Sequence, residues 1–400
     1  MKKIIIIGGG AAGFFCASNL DEKKYHITIL EQNSDVLQKV KISGGGRCNV
    51  THACFDPREL VQFYPRGHKE LLSVFTKFQP GDTMEWFDLR NVPLKIENDN
   101  RTFPESNSSQ TIINTFLNEV QKKNTEVKTR CTVKEIERQD EKYLIKTNSG
   151  DFEADYVVYT TGSSPKSLKI VENLGHKIID LVPSLFTFNI KDELLKDLPG
   201  TSFENAGISI PQLKTDESGP LLITHWGLSG PAVLKISAWE AISLAKLQYN
   251  FEIEVNFISI AMDEAEEVFQ NFRQSNPKKT IGQSKIFDIT NRFWQKILEI
   301  SKIDLNKQVA HISGKEMQKI LENLCKKKFQ VSGKSTFKEE FVTAGGVDLK
   351  EINFKNMASK LLPNFYMAGE VLNIDAVTGG FNFQACWSEG WLIAQHLNEL

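Results

Sequence analysis

Glycines and an acid at fixed distances carry the first chemistry of this chain. Gly8-Gly9-Gly10-Ala11-Ala12-Gly13 follows directly on the β-branched run Lys2 to Ile7, which reads as a buried parallel strand. Phe14 to Leu20 then reads as a helix and Ile27 to Leu30 as a second strand that ends in Glu31. Each glycine has a physical task in such a turn. Gly8 permits the tight bend, Gly10 lets backbone approach a pyrophosphate, and Gly13 lets the helix pack closely on the strand. The helix start at Ala11 and Ala12 offers free N–H groups and partial positive charge to phosphates. Glu31 stands where a carboxylate accepts hydrogen bonds from a ribose. The pattern predicts dinucleotide binding.

The glycine turn alone does not separate FAD from NAD. Further glycine turns do. Asp155 to Tyr159 reads as a strand closed by Thr160-Thr161-Gly162. Phe365 to Ala368 reads as another, with Gly369 and Glu370 at its C-terminal end, where ligands of open α/β sheets bind. An acid there suits ribityl hydroxyls. Beyond Asp375, Gly379-Gly380-Phe381-Asn382 opens an amphipathic helix over 383–397, a second helix N-terminus directed at a flavin ring. Three separated glycine turns, each at a strand or helix end, favour non-covalent FAD.

Residues 39 to 51 read Lys39-Val40-Lys41-Ile42-Ser43-Gly44-Gly45-Gly46-Arg47-Cys48-Asn49-Val50-Thr51. Three glycines followed by Arg and Asn suit a backbone that wraps a phosphate or a flavin edge. Arg47 would neutralise pyrophosphate charge, and Asn49 and Thr51 would hydrogen-bond the ring or the ribityl chain. SGGGRCNVT resembles the signature of the three-domain bacterial flavoproteins of the BaiN/YhiN-like family. The resemblance continues in LITHWGLSGP at 222–231, TAGGV at 343–347, AGEVL at 368–372 and GGFNFQ at 379–384. The chain departs from the family at Asn373, where an Asp is usual, at Phe381, where a Tyr is usual, and at Ala376, where a Gly is frequent. The cofactor-binding set expected is Gly8, Gly10, Ala11, Ala12, Gly13, Glu31, Lys39, Ser43, Gly44, Gly45, Gly46, Arg47, Cys48, Asn49, Thr51, Val133, Thr161, Gly162, Gly369, Glu370, Asp375, Gly379, Gly380, Phe381 and Asn382.

The elements that must position these residues follow from the same resemblance. It implies an α/β, Rossmann-like, two-dinucleotide-binding flavoprotein fold with an inserted β-barrel-like domain and an inserted helical domain. The FAD domain is discontinuous, 1–190 plus 335–400. A β-rich insert covers 191–260 plus about 325–334, and a helical insert covers 261–324. Alternating runs at Phe186–Ile190, Gly207–Ile210 and Phe251–Val255 read independently as strands of a small barrel or sandwich. From Asp263 to about Lys328 the apolar spacing turns helical, as in Phe293, Ile297 and Ile300, with breaks at Pro277 and Ser313-Gly314.

Composition removes several classes. No run approaches the roughly 20 apolar residues of a membrane span, and Ile4 to Ile7 is too short for a signal peptide, so a cytoplasmic protein is expected. Cys16, Cys48, Cys54, Cys131, Cys325 and Cys386 form no CxxC pair. A redox disulfide of that kind and a zinc knuckle are excluded, and no metal is expected. The net charge is −2, yet residues 265 to 338 hold 15 Lys plus Arg against 7 Asp plus Glu, a local excess of 15 − 7 = +8. That segment reads either as a solvated helix face or as an RNA-facing surface.

A bound flavin exchanges hydride, so the reaction class is oxidation–reduction. No second glycine fingerprint lies in the inserts, so NAD(P)H, if it is the donor, would enter at the flavin face. Two side chains are candidates for the chemistry. His225 would donate a proton after hydride transfer, or else simply shape the turn before Gly227 and Gly230. Cys48 beside Arg47 would have a lowered pKa, or else be a small residue packed at the flavin. Trp226, Trp387 and Trp391 read as packing. The resemblance spans reductases of conjugated C=C bonds, amine or amino-ketone oxidases and enzymes that reduce uridine to dihydrouridine in ribosomal RNA; reduction of an activated C=C bond, with uridine in ribosomal RNA as the leading substrate, is the first reading, favoured by the +8 segment. A small-molecule amine or amino-ketone oxidase, an enone reductase and a non-catalytic FAD-binding factor are the alternatives.

Overall fold

The computed structural model describes residues 1–334 and 342–400. The proposed domain boundary at 335 and Lys338 of the basic segment lie outside them. The chain forms two compact units, 1–182 with 343–400, and 183–342.

The first unit is built on a parallel sheet. Strand β1 (Lys2–Ile7) is followed by helix α1 (Ala11–Asn19), β2 (Tyr25–Leu30), helix α2 (Gln38–Gly46), β3 (Glu126–Lys128) and β4 (Tyr156–Tyr159). The C-terminal segment returns as β5 (Phe365–Met367) and helix α3 (Phe381–Glu399). The sheet order is β5-β4-β1-β2-β3, parallel throughout. Two short antiparallel strands, Ile352–Asn353 and Ala358–Ser359, extend the β5 edge. β1 is central, so Ile4 to Ile7 are buried on both faces, which is why the run is continuously apolar rather than alternating. The chain leaves β1 toward β2 and later returns on its other side as β4. The strand order therefore reverses at the end of β1, the place where open α/β sheets form a ligand crevice.

The second unit holds a closed barrel of six antiparallel strands with helices packed on it. Its strands include Phe188–Ile190, Ser202–Ile210, Thr215–Ile223, Gly227–Ser229, Asn250–Asn256 and Lys327–Lys334. Pro231–Trp239 and Ala241–Lys246 are helices between the fourth and fifth strands, and the layer after the fifth strand is, in order, Met262–Ser275, Asn291–Ile300 and Gly314–Cys325. Barrel and helices, expected as separate inserts, share one apolar core. Phe203 of the barrel, Phe257 beyond it and Phe293 of the second helix of that layer meet at ring distances of 4.8 to 4.9 Å. Neither face would be buried without the other. Ser313, read as a break, is the N-cap of the third helix of the layer, in a capping box with Glu316.

Close backbone contact holds the first turn to the sheet. A Cβ on Gly13 would lie 2.4 Å from the Gly8 carbonyl oxygen and 2.7 Å from the Thr160 hydroxyl. Gly13→Ala is therefore expected to destabilise the protein by about 1–3 kcal/mol through overpacking, read as a lowered midpoint in urea denaturation. An unchanged midpoint would show that α1 has room to shift.

Candidate active site

The turn after β1 is shaped by what surrounds it. Gly8 has φ +111°, and a Cβ there would sit 2.4 Å from the Thr160 carbonyl oxygen. Gly10 differs: nothing lies within 4 Å of its added Cβ. The first intrahelical bond of α1 runs from Phe14 N–H to Gly10 O, 3.1 Å. The preceding N–H groups of the helix stand at this open end. Glu31 is buried and braces the turn. Its Oε2 accepts the Gly9 N–H at 2.8 Å, and its Oε1 accepts both the backbone and side-chain N–H of Asn33 at 2.8 Å. A carboxylate has further lone pairs, so a hydroxyl pair can still be accepted. Gly8, Glu31, Val133 and Thr161 line one narrow crevice together with Cys131 and Tyr159, two residues the sequence did not single out.

The other glycine turns converge on this one. Gly369 approaches Ala12 of α1 to 3.4 Å, and Gly162 approaches the Glu370 carboxylate to 3.9 Å, each measured from an added Cβ. Glu370 forms an ion pair with Lys39 at the start of α2. The Ser43-Gly44-Gly45-Gly46 stretch, expected as a loop, lies within α2 but leaves helical geometry at Ser43, Gly44 and Gly45. Ser43 Oγ donates to Val40 O at 2.9 Å. Gly45 and Gly46 face open space. A Cβ added at Gly380 would lie 2.6 Å from the Thr51 carbonyl oxygen and 2.8 Å from Asn49 Oδ1, so the start of α3 packs against this segment. Asn49 Oδ1 is buried without a hydrogen-bond partner among the described residues. Open backbone at Gly10, Gly45 and Gly46 and an unmatched buried acceptor fit a dinucleotide.

Several expected ligands are engaged elsewhere. Arg47 does not stand free for a phosphate: Glu97 accepts from it at 2.6 Å, and its guanidinium lies 3.8 Å from the Phe103 ring centre. Cys48 is fully buried, and burial pushes its thiol up to about 12 rather than down. With Arg47 turned to Glu97, nothing offsets that desolvation except a hydrogen bond with Ser43, so the reactive-thiol reading is corrected to a packed residue. Thr51 donates to Gln384 Oε1 at 2.6 Å instead of facing a ring. Asp375, wholly buried, accepts from the Arg66 guanidinium, with Nε donating to Oδ1 at 2.5 Å. Asn382 uses both ends of its amide on the Ala376 backbone, at 3.0 and 3.1 Å. Phe381 stacks on Phe63 at 4.3 Å, so the usual tyrosine hydroxyl is replaced by ring packing. Gly379 is wedged against that ring. Asn373 accepts the Gly345 N–H at 3.0 Å, a bond its side-chain oxygen makes as an Asp would.

The helix over 381–399, expected to be amphipathic, buries polar residues: Gln384, Ser388 and Glu389 are all inaccessible. Glu389, which sequence reasoning missed, is pushed up to about 8 by burial, with the Gly369 N–H pulling the other way. The spacing of Gln384 and Ser388, four residues apart on one face, was the available signal.

His225 belongs to the second unit. It is exposed between Thr215–Ile223 and Gly227–Ser229, in a turn closed by Thr224 N–H to Gly227 O at 2.8 Å. Gly227 is required there by the barrel itself, since a Cβ would lie 2.2 Å from Phe188 O. Trp387 packs in the core as expected, whereas Trp226 is exposed. Among the described residues no group of His, Cys, Asp or Glu is placed to hold a metal, and no helix is long and apolar enough to cross a membrane.

A bare helix N-terminus at the reversal point of a parallel sheet, with a second strand–glycine turn returning beside it, defines the Rossmann-type class of FAD-dependent oxidoreductases. The match to the family described as HI0933-like protein Rossmann domain runs over residues 2–396, and the chain belongs to that family. It is 26% identical over 408 residues to the ribosomal RNA dihydrouridine synthase of Escherichia coli (strain K12), covering 98% of this chain and 97% of that one. It is 23% identical to the 3-dehydro-bile acid delta(4,6)-reductase of Clostridium scindens, covering 98% of each. Among solved structures, the 3-ketosteroid delta1-dehydrogenase of Sterolibacterium denitrificans superposes with a TM-score of 0.53 at 9% identity over the whole of both chains, a likeness of fold.

Two outcomes follow from these contacts. Arg66→Ala removes the guanidinium from a buried carboxylate and is expected to cost about 3–5 kcal/mol of stability, measured by denaturant unfolding; a loss within experimental error would mean that Asp375 is held by other groups. On alkylation of the native protein at neutral pH, Cys54, which is partly exposed, is modified while Cys48 is not. Mass spectrometry of the peptides reads this, and early modification of Cys48 would restore the reactive-thiol reading.

Proposed function

We propose that this protein is an FAD-dependent reductase of an activated C=C bond, and that its substrate is uridine in ribosomal RNA, converted to dihydrouridine. The reductase reading is supported by two full-length relatives whose names both describe saturation of a ring double bond conjugated to a carbonyl. The choice of RNA is carried by charge. Lys278, Lys285, Lys302, Lys315, Lys319 and Lys326 are exposed and form no ion pair among the described residues. Lys296, Lys307, Lys327 and Lys328, by contrast, are matched by Glu299, Glu316, Asp192 and Glu252. Uncompensated cations on one segment suit a phosphate backbone. An RNA substrate also implies work in the cytoplasm.

The backbone at Gly10, Ala11 and Ala12 receives the pyrophosphate, and Glu31 accepts from the ribose. Gly45, Gly46 and Asn49 border the flavin, with Lys39 and Glu370 as a charge-balanced pair beside the Gly369 turn. FAD supplies a hydride donor once reduced. Uracil gains hydride at C6 and a proton at C5, and NAD(P)H is oxidised to NAD(P)⁺ to furnish the two electrons.

The test uses Gly10→Val. Its added side chain meets no protein atom within 4 Å at Cβ, and Gly10 has φ −93°, open to any residue. The fold should persist while pyrophosphate is excluded. Wild-type protein is expected to carry flavin absorbance and to restore dihydrouridine in ribosomal RNA of cells lacking the gene. Gly10→Val should do neither at unchanged circular dichroism. Unaltered RNA with flavin present would sink the RNA reading in favour of reduction of small enones, assayed directly; peroxide formed on small amines would favour an oxidase.

A further inference from the structure

Glu389 is wholly buried on α3. Its Oε2 accepts the Gly369 N–H at 2.6 Å, while its Oε1 has no partner among the described residues. Buried carboxyl oxygens are seldom left unmatched, so this one calls for a physical account. Gly369 is pressed between two helices: an added Cβ would be 3.4 Å from Ala12 Cβ of α1 and 3.5 Å from Cys386 Sγ of α3. Gly390, the next residue, brings α3 so close that its Cβ would lie 2.7 Å from Ala12 O. The Glu389 carboxyl therefore sits under the first turn of α1 and under the turn that carries Glu370.

Among the described residues no cation answers it. Lys39 is paired with Glu370. The titratable groups facing this region are the buried Tyr64, whose hydroxyl donates to Phe381 O, Cys386 on the same helix, with Glu370 and Lys39 beyond it, and Cys16 of α1. Burial holds Cys16, Cys386 and Tyr64 neutral by raising all three.

We propose that Glu389 is a positioning residue that works as a neutral acid, holding the Gly369–Glu370 turn against α1 and taking up a proton when a pyrophosphate-bearing cofactor docks at that helix. The proposal rests on the FAD reading above. A carboxylate here would be a second unmatched negative charge next to a bound dianion, in surroundings that screen it little. Burial, partly offset by the Gly369 N–H, already raises the group to about 8. A carboxyl raised in the folded state contributes stability that is complete below its ordinary range and is lost as pH climbs through about 8.

The experiment compares wild type, E389Q and E389A in the full chain. Apo-protein is titrated with FAD by fluorescence quenching from about pH 7 to about pH 9, and proton uptake is read by calorimetry in buffers of different ionisation enthalpy. Wild-type affinity should fall several-fold across this range, at most about tenfold per pH unit, with protons taken up on binding. E389Q should bind as wild type does near pH 7 and show neither the fall nor the uptake. E389A should bind more weakly at every pH. Thermal unfolding of the apo-proteins gives a second arm free of ligand: wild type should lose stability as pH rises through about 8, and E389Q should not. Parallel pH profiles for wild type and E389Q, or no proton uptake, overturn the proposal alone. Absence of FAD binding by wild type at any pH overturns the cofactor reading as well.

Discussion

The arrangement depends on backbone meeting backbone where β1 ends. Gly8 lies against the Thr160 carbonyl, Gly13 against the Gly8 carbonyl, and the Thr160 hydroxyl donates to Ile7 O and Gly8 O at 3.2 and 3.0 Å. With no side chains between them, β1, β4 and α1 draw together and the start of α1 is left bare at Gly10. Any larger residue at Gly8 or Gly13 would push the helix away from the sheet. Its partial charge would then no longer be aimed at a fixed point.

A second layer holds that point still. Thr51 and Thr83 both donate to Gln384 Oε1, Gln384 donates to Ser388, and Ser388 donates to Phe78 O. The Trp387 indole donates to Val50 O. These bonds tie the loop over 43–51 to α3, far away in the chain. Buried polar groups linked in this way specify one arrangement, because breaking any one of them strands the others. The polar residues of GGFNFQ and NVT therefore serve as scaffold, and the surfaces left open for a ligand are mainly backbone.

This division explains what was legible in the sequence. The β1 turn, α1, β2 and Glu31 were readable because their logic is local: apolar run, glycine spacing and an acid at a set distance. The barrel strands were readable from alternation. Partnerships were not. Arg47 and Thr51 have side chains suited to a cofactor, but their partners Glu97 and Gln384 stand 50 and 333 residues away. Arg66 showed no signal until Asp375 was seen beside it. Cys48 looked activated by its neighbour in sequence, yet burial governs a thiol more strongly than an arginine that points elsewhere. Glu389 was hidden because a helix with charged and apolar residues reads as amphipathic, whereas packing on α1 buries it from every side. Charge counting over 265–338 likewise could not separate paired lysines from unpaired ones.

The first unit is assembled from both ends of the sequence, with 183–342 between them. During synthesis, β1, α1 and β4 emerge long before β5 and α3. Until then the apolar edge of β4 and the face of α1 that α3 covers have no partner. The second unit, a continuous stretch with its own core, can close first and fold as the chain emerges. The dinucleotide unit is thus completed only once its C-terminal segment has emerged, and until then its N-terminal half waits with apolar surface uncovered.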